Sequence, residues 1–103
     1  MDQQWLKMAN LIFDLEKKVV NKTELPAMLR IYDKMKGVLE EAGILLYNPE
    51  GENYAETRTD VEASISGPST IHLRITEVIK PVVYRVESDR KILIQKGLVI
   101  VAG

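Results

Sequence analysis

The stretch Glu41-Ala42-Gly43-Ile44-Leu45-Leu46-Tyr47-Asn48-Pro49 decides the fold of this chain. Gly43 follows an amphipathic run and suits the position just beyond a helix end, where glycine is the common residue. The short apolar run after it stops at Asn48-Pro49, which predicts a strand. Residues before Gly43 have helical periodicity, and those after it have strand patterning. The sequence therefore predicts an α+β protein with a helical part, residues 1–43, and a small, mainly antiparallel β head, residues 44–103.

In the helical part, apolar residues recur at intervals of three and four, the heptad spacing of amphipathic helices. The segment 21–23 interrupts the pattern, and Thr23 is the predicted cap of a second helix. Two helices joined by a short turn form an antiparallel hairpin. Its apolar stripes are Trp5, Met8, Ile12, Leu15 and Val19 in the first helix and Met28, Ile31, Met35 and Val38 in the second.

A hairpin with apolar residues on more than one side cannot bury all of them by itself. We therefore predict that both stripes form the interface of a homodimer, in which two copies build a four-helix bundle. The alternative is that the helices cover the β-sheet of their own chain. Gly37 lies inside the second helix at a cost of about 1 kcal/mol relative to alanine, which indicates that another group packs closely against it.

The β head is predicted from short apolar runs separated by turn residues. The alternation of Ile71, Leu73 and Ile75 slips at 77–79, which predicts a bulge. Pro81 cannot donate a hydrogen bond to a ladder and so marks a strand end or an edge. Short connections between consecutive strands favour antiparallel pairing. The predicted strands are 44–47, 61–65, 71–79, 82–86, 92–94 and 98–101.

Composition argues against several classes of function. The 103 residues include 14 basic and 15 acidic ones, for a net charge of −1, so the chain lacks the basic footprint that nucleic acids and anionic membranes require. Without cysteine it has no disulfide and no thiolate nucleophile. No apolar run approaches the roughly 18 residues of a spanning helix, and the N-terminus lacks the pattern of a signal peptide. We expect a cytoplasmic protein.

Residue types that catalysis uses are present, but not in catalytic patterns. His72, the only histidine, is predicted to be an exposed strand residue without the clustered ligands of a metal site. No motif sets it beside a serine nucleophile, the acids are scattered over a helix end and a loop, and phosphate-binding glycine motifs do not occur. We therefore expect a binding protein with no enzymatic activity, metal or cofactor.

From about residue 27 to residue 102, the order of features resembles the C-terminal half of GrpE, the nucleotide exchange factors of DnaK-type chaperones. The resemblance lies in the order and spacing of short motifs rather than in any single one. The motifs are Glu41-Ala42-Gly43-Ile44 at a helix end, Pro49-Glu50-Gly51-Glu52-Asn53-Tyr54 in a turn, Thr76-Glu77-Val78-Ile79-Lys80-Pro81-Val82-Val83-Tyr84, Ile92-Leu93-Ile94 and Leu98-Val99-Ile100-Val101-Ala102.

The resemblance implies a homodimer with a four-helix bundle and one β-wing per chain. In the family, one wing binds the ATPase domain of the chaperone and opens its nucleotide cleft, so that ADP leaves without chemistry by the exchange factor. Each residue that could make this contact has packing inside the β head as its alternative role. By position in the family motif, the contact residues are Ile79, Lys80, Pro81, Tyr84, Val99 and Val101.

Two departures from the family pattern leave alternatives open. Val82-Val83 replaces the glycine of a family turn, which favours a dimeric, GrpE-derived adaptor without exchange activity. The long paired N-terminal helices are missing, because Met1 lies shortly before Thr23, so the chain is either a fragment of a longer protein or a shortened family member. An unrelated α+β interaction domain and a small enzyme are the remaining alternatives.

Overall fold

A computed structural model describes residues 2–20 and 26–103, with the backbone alone for Asp2, Val19 and Val20. It contains helix α1, Asp2–Val20, and helix α2, Pro26–Glu41, which pack against each other. The predicted cap Thr23 and the side chain of Val19 lie outside the described residues. Neither described helix has the length and apolar character needed to cross a membrane.

Six strands follow the helices, so the predicted α+β class and its mainly antiparallel head are confirmed. The first two strands begin and end where the sequence pattern placed them, and the later ones differ by a few residues at their ends. The strands are β1, Ile44–Tyr47; β2, Val61–Ile65; β3, Arg74–Lys80; β4, Val82–Glu87; β5, Arg90–Gln95; and β6, Gly97–Ala102.

The strands form two three-stranded sheets, with the orders β1-β4-β5 and β2-β6-β3. All pairs are antiparallel except β2 and β6, which run parallel. Only Pro81 separates β3 from β4, yet these strands belong to different sheets; a proline that cannot donate to a ladder suits this boundary. The predicted bulge is confirmed by register shifts in β3 between Ile75 and Glu77 and between Val78 and Lys80.

Gly43 joins the helical part to the head in a conformation that favours glycine. Its φ is +85°, and its N–H donates to the carbonyl oxygen of Glu40 at 2.9 Å, closing the last turn of α2. The carbonyl oxygen of Gly43 accepts a hydrogen bond from the N–H of Val86 at 2.7 Å. The predicted helix end is confirmed, and the same residue fixes the start of β1 against β4.

One apolar core joins the hairpin to the head. Both helices contact β1, and the buried side chains of the helices and strands form a single cluster. The helices therefore cover part of their own sheet, as one of the two alternatives predicted. Its helical members are Ala9, Ile12, Phe13, Tyr32 and Leu39, and its strand members include Ile44, Leu46, Ile75, Val78, Val82, Val83, Val99 and Val101.

One local prediction was wrong, and another is not met within the described residues. His72 is exposed but does not lie in a strand: its φ is +52°, which breaks the extended backbone, and β3 begins only at Arg74. Among the described residues, no atom outside the local helix backbone lies within 4 Å of a Cβ built on Gly37, so these residues do not supply the close packing expected there. Packing of a second copy against Gly37 stays a prediction.

Candidate interaction surfaces

One side of the hairpin has a largely exposed apolar surface, which we call the hairpin face. Exposure of five of its six side chains ranges from 39% for Trp5 to 58% for Val38, and the sixth, Met35, is half-buried. Side chains of both helices line a shallow cleft of about 180 Å³ in this face. The hairpin face consists of Trp5, Met8, Met28, Ile31, Met35 and Val38.

Ile12 was predicted to lie at a dimer interface but belongs mainly to the core of its own chain. Only 2% of its surface is exposed, and together with Leu39 it contributes to the lining of the cleft. The reason is that the apolar surface of α1 is wider than one heptad stripe. Phe13 and Ala9 continue it onto the head, and Ile12 lies between the two sides. Leu15 is half-buried.

Sequence reasoning did not identify Phe13 as a residue that attaches α1 to the head. Its spacing of four from Ala9 and its large apolar ring were the available signals. Tyr32 of α2 is also buried. Its burial is the largest cause that raises the pKa of its hydroxyl, and a hydrogen bond with the Glu16 carboxylate of α1 is the next. Tyr32 thus joins α2 to α1, and Phe13 lies in the core that the helices share with the strands.

The residues that the GrpE resemblance assigned to partner contact divide into three groups by their exposure. Pro81, Val99 and Val101 lie in the interior and are unavailable to a partner in this conformation. Val99 is opposite Val78 in the register of the β2-β6-β3 sheet. Val99 and Val101 therefore pack inside the β head, which was the alternative to partner contact. Ile79 and Lys80 are exposed on β3.

Tyr84, the remaining contact candidate, is half-buried on β4 in the other sheet. Leu45 and Leu93 are its neighbours in the register across β1 and β5. The Nζ atom of Lys91 lies 5.5 Å from the centre of its ring, a distance typical of a cation–π contact. Burial is the main cause that raises the pKa of its hydroxyl, with the nearby Asp60 carboxylate adding to the effect.

A groove opens where α1 passes the end of β3; we call it the head groove. Its volume is about 590 Å³, and its lining is Lys7, Asn10, Leu11 and Asp14 from α1 with Ile79 and Lys80 from β3. The head groove thus brings the two exposed contact candidates of β3 beside the N-terminal helix, an arrangement that the sequence pattern did not predict.

A polar cluster holds the loop between β1 and β2. The guanidinium of Arg58 donates to both carboxylate oxygens of Asp60, at 3.0 and 2.8 Å, and to Glu52 at 3.1 Å. The Tyr47 hydroxyl donates to the other oxygen of Glu52. The hydrogen bonds from Arg58 lower the pKa of the Asp60 carboxyl. These acids, which appear scattered along the sequence, therefore converge on one arginine.

The described residues contain no group of three or more His, Asp or Glu side chains that could hold a metal ion. The fold and its surfaces define a small α+β protein with two candidate interaction surfaces. One is the apolar hairpin face, and the other is the head groove between α1 and β3. No protein-family model matches the chain, and no curated protein or solved structure shows a significant match to it.

Proposed function

We propose that this chain is a homodimeric, GrpE-like co-chaperone that binds the ATPase domain of a DnaK-type chaperone and promotes ADP release by opening its nucleotide cleft. The exposed hairpin face, continuous through Gly43 with a β head, is the observation that carries the proposal. The order of motifs between residues 41 and 102 supports the same family. As part of the proposal, the protein acts in the cytoplasm without a cofactor and catalyses no reaction itself.

The hairpin face supports the dimeric part of the proposal. Large exposed apolar patches mark interaction sites, because burying apolar surface is favourable by about 25 cal/mol of free energy for each Å² removed from water. A second hairpin placed on this face would complete a four-helix bundle. Because Met8 and Met35 have flexible side chains, they can adjust to a facing helix. The core residues that attach the hairpin to its own head would stay covered in such a dimer.

The exchange activity would depend on differential binding. The head can shift the chaperone towards its open state only by the extra affinity that it has for that state. Ile79 and Lys80 are the contact candidates accessible on β3, and Tyr84 offers a partly accessible ring on the other sheet. We propose Ile79 as the apolar anchor of the contact and Lys80 as its charged neighbour.

A dimeric adaptor without exchange activity is the second candidate, because one observation favours it. Val82 and Val83, which replace the glycine of the family turn, are both fully buried. Together with the buried Pro81, they leave little exposed surface at the position of that turn. A head altered in this way can retain the dimer and lose the chaperone contact.

Release of a fluorescent ADP analogue from a DnaK-type chaperone, measured with and without an excess of this chain, tests the proposal. Sedimentation equilibrium gives the mass of the chain in the same buffer. Faster release by a dimer supports the exchange factor, and Ile79→Asp should then abolish the acceleration. Ile71→Asp is the matched control, since Ile71 is 67% exposed and precedes the opposite end of β3. A folded dimer without effect favours the adaptor, and a monomer contradicts the bundle.

A further inference from the structure

We propose that the head groove binds an extended peptide segment of a partner protein in which acidic and apolar residues alternate. The inference goes beyond the exchange activity. The groove shares Ile79 and Lys80 with the proposed chaperone contact, but the inference depends on the shape and charge of the groove and not on exchange activity. Its two walls come from different parts of the chain, α1 and β3, which the core holds together.

Apolar side chains inside the groove remain accessible. Leu11 is 63% exposed and Ile79 is 41% exposed, and both line the groove. The volume of about 590 Å³ lies within the roughly 300–1,000 Å³ that ligand sites occupy. An apolar side chain of a guest segment would cover both residues and remove them from water.

The charges around the groove select an acidic guest. Lys7 and Lys80 are exposed on its two walls, and neither forms an ion pair with any residue that the structure describes. Of the described lining residues, Asp14 alone is acidic. Lys17 adds a third ammonium group beside β3. Carboxylates of a guest would be attracted to these lysines, whereas a basic guest would be repelled.

The backbone of β3 favours an extended guest. β3 is an edge strand of its sheet, and the loop after β1 already pairs with the first half of its outer edge. The N–H of Ile75 donates to the Glu52 carbonyl at 2.9 Å, and the N–H of Gly51 donates to the Ile75 carbonyl at 2.8 Å. The last two residues of β3, Ile79 and Lys80, instead line the groove, so a guest segment could continue this pairing by strand addition.

Lys17 occupies the edge in the absence of a guest. Its Nζ atom donates to the carbonyl oxygen of Val78 at 3.1 Å. A backbone N–H of a guest strand could replace it there, and the released ammonium could then bind a guest carboxylate. The bond from Lys17 to Val78 is charge-assisted because its donor is ionised. Once that bond is given up, a guest carboxylate supplies the ammonium with a new charge-assisted partner and a neutral segment does not, so the exchange favours acidic segments over neutral ones.

The head groove and the hairpin face lie on different sides of α1. With 3.6 residues per turn, Lys7 and Asp14 lie roughly 100 to 120° around the helix from Met8. Leu11 lies about 60° from Met8, between the two surfaces, so a dimer formed through the hairpin face leaves Lys7 and Asp14 open to a partner. The proposed occupant is therefore a segment of a partner protein, and a second copy of this chain is an outcome that the test below distinguishes.

Fluorescence anisotropy with the full chain tests the inference. The probe is a short labelled peptide of alternating valine and glutamate, and the comparison peptide has lysine in place of glutamate. We expect saturable binding of the glutamate peptide, weakened by added salt, and binding of the lysine peptide about tenfold weaker or more. Equal affinity for the two peptides, or no saturable binding of the glutamate peptide, would overturn the inference.

A charge-reversal variant locates the site. Lys7→Glu combined with Lys80→Glu should weaken binding of the glutamate peptide by about tenfold or more and improve binding of the lysine peptide. The control is Arg30→Glu combined with Lys34→Glu, which changes the net charge equally at exposed positions of α2. Circular dichroism checks that each variant is folded. Equal losses in both variants would show a non-specific charge effect and overturn the inference.

Sedimentation of the same variants tests whether the groove binds a second copy of this chain instead of a peptide. If the Lys7→Glu and Lys80→Glu changes dissociate the chain into monomers, the groove holds a second copy and the inference fails. ADP release is measured in a separate experiment. If the chain does not accelerate ADP release, the peptide-binding result still tests the groove. Peptide binding without accelerated release supports the groove and contradicts only the exchange activity.

Discussion

Asn10 of α1 and Gln95 of β5 exchange two amide hydrogen bonds. The Asn10 Nδ2 atom donates to Gln95 Oε1 at 3.1 Å, and Gln95 Nε2 donates to Asn10 Oδ1 at 2.9 Å. Gln95 Nε2 also donates to the carbonyl oxygen of Pro81 at 2.9 Å. The pair therefore connects the N-terminal helix to the boundary between the two sheets, and it limits how the helix can turn over the head.

Asn10→Ala should lower the free energy of unfolding by about 1–3 kcal/mol, because the partly buried amide of Gln95 then loses the two hydrogen bonds that it makes with Asn10. Gln95→Ala should cost at least as much, since the Pro81 carbonyl also loses its donor. Urea denaturation of the single variants and the double variant gives the coupling energy. Gln3→Ala, an exposed change in the same helix, is the control. Strictly additive losses would show that the two amides do not stabilise each other.

The sequence predicted the elements because their signals are local. A period of three and four marks α1 and α2, Gly43 marks the helix end, and alternation bounded by turn residues marks the strands. The pattern at 71–75 was misleading because alternation continues through His72, whose positive φ ends the extended backbone. Periodicity reports which side a residue would face, but not whether the backbone is extended there.

Strand pairing and the candidate surfaces depend on contacts between distant residues. No local signal in the sequence of β2 indicates that this strand pairs in parallel with β6, whereas all other strand pairs of the head are antiparallel. Likewise, alternation groups Val99 with Val101 on one face without showing that this face is covered. The head groove needs α1 and β3 together, so neither of its walls indicates it alone.

Acid should destabilise the loop that Arg58 holds. The pKa of Asp60 is lowered in the folded chain by hydrogen bonds from Arg58. Its contribution to stability is therefore present above the unfolded-state pKa of about 3.9 and is lost as the pH falls through the lower folded value. Arg58→Gln should reduce the free energy of unfolding by about 1–3 kcal/mol at neutral pH, and this deficit should shrink below about pH 4.

Urea denaturation at a series of pH values measures that deficit. Arg90→Gln is the control, because Arg90 is exposed at the start of β5 and should leave stability nearly unchanged at every pH. A deficit for Arg58→Gln that stays constant down to the lowest pH would mean that the arginine contributes through packing rather than through Asp60.

Two glycines should respond in opposite directions to alanine. A Cβ on Gly97 would lie 2.9 Å from Val82 Cγ2 and 3.2 Å from Val61 Cγ1, both in buried side chains. We expect Gly97→Ala to lower the free energy of unfolding by about 1–3 kcal/mol through overpacking. Gly37→Ala meets no described atom within 4 Å beyond its local helix backbone, so it should stabilise the chain by up to about 1 kcal/mol through helix propensity.

Thermal or urea denaturation of the two variants checks this contrast. If Gly37→Ala instead weakens the chain and also shifts its mass towards the monomer, a helix of a second copy approaches Gly37 closely. A stability for Gly97→Ala equal to that of the parent chain would show that Val82 and Val61 can move apart at little cost.

The hairpin face gives the sharpest test of self-association. Val38→Glu combined with Ile31→Glu puts two carboxylates on a surface that the proposed dimer removes from water, where unpaired charges cost several kcal/mol. We expect the chain to become monomeric in sedimentation experiments while its circular dichroism stays unchanged, because both side chains are more than half exposed in the single chain. Ile71→Glu combined with Ile65→Glu places equal charge on exposed residues of the head and should leave the mass unchanged. A dimer that survives the hairpin change but is lost in the control would place the interface on the β head.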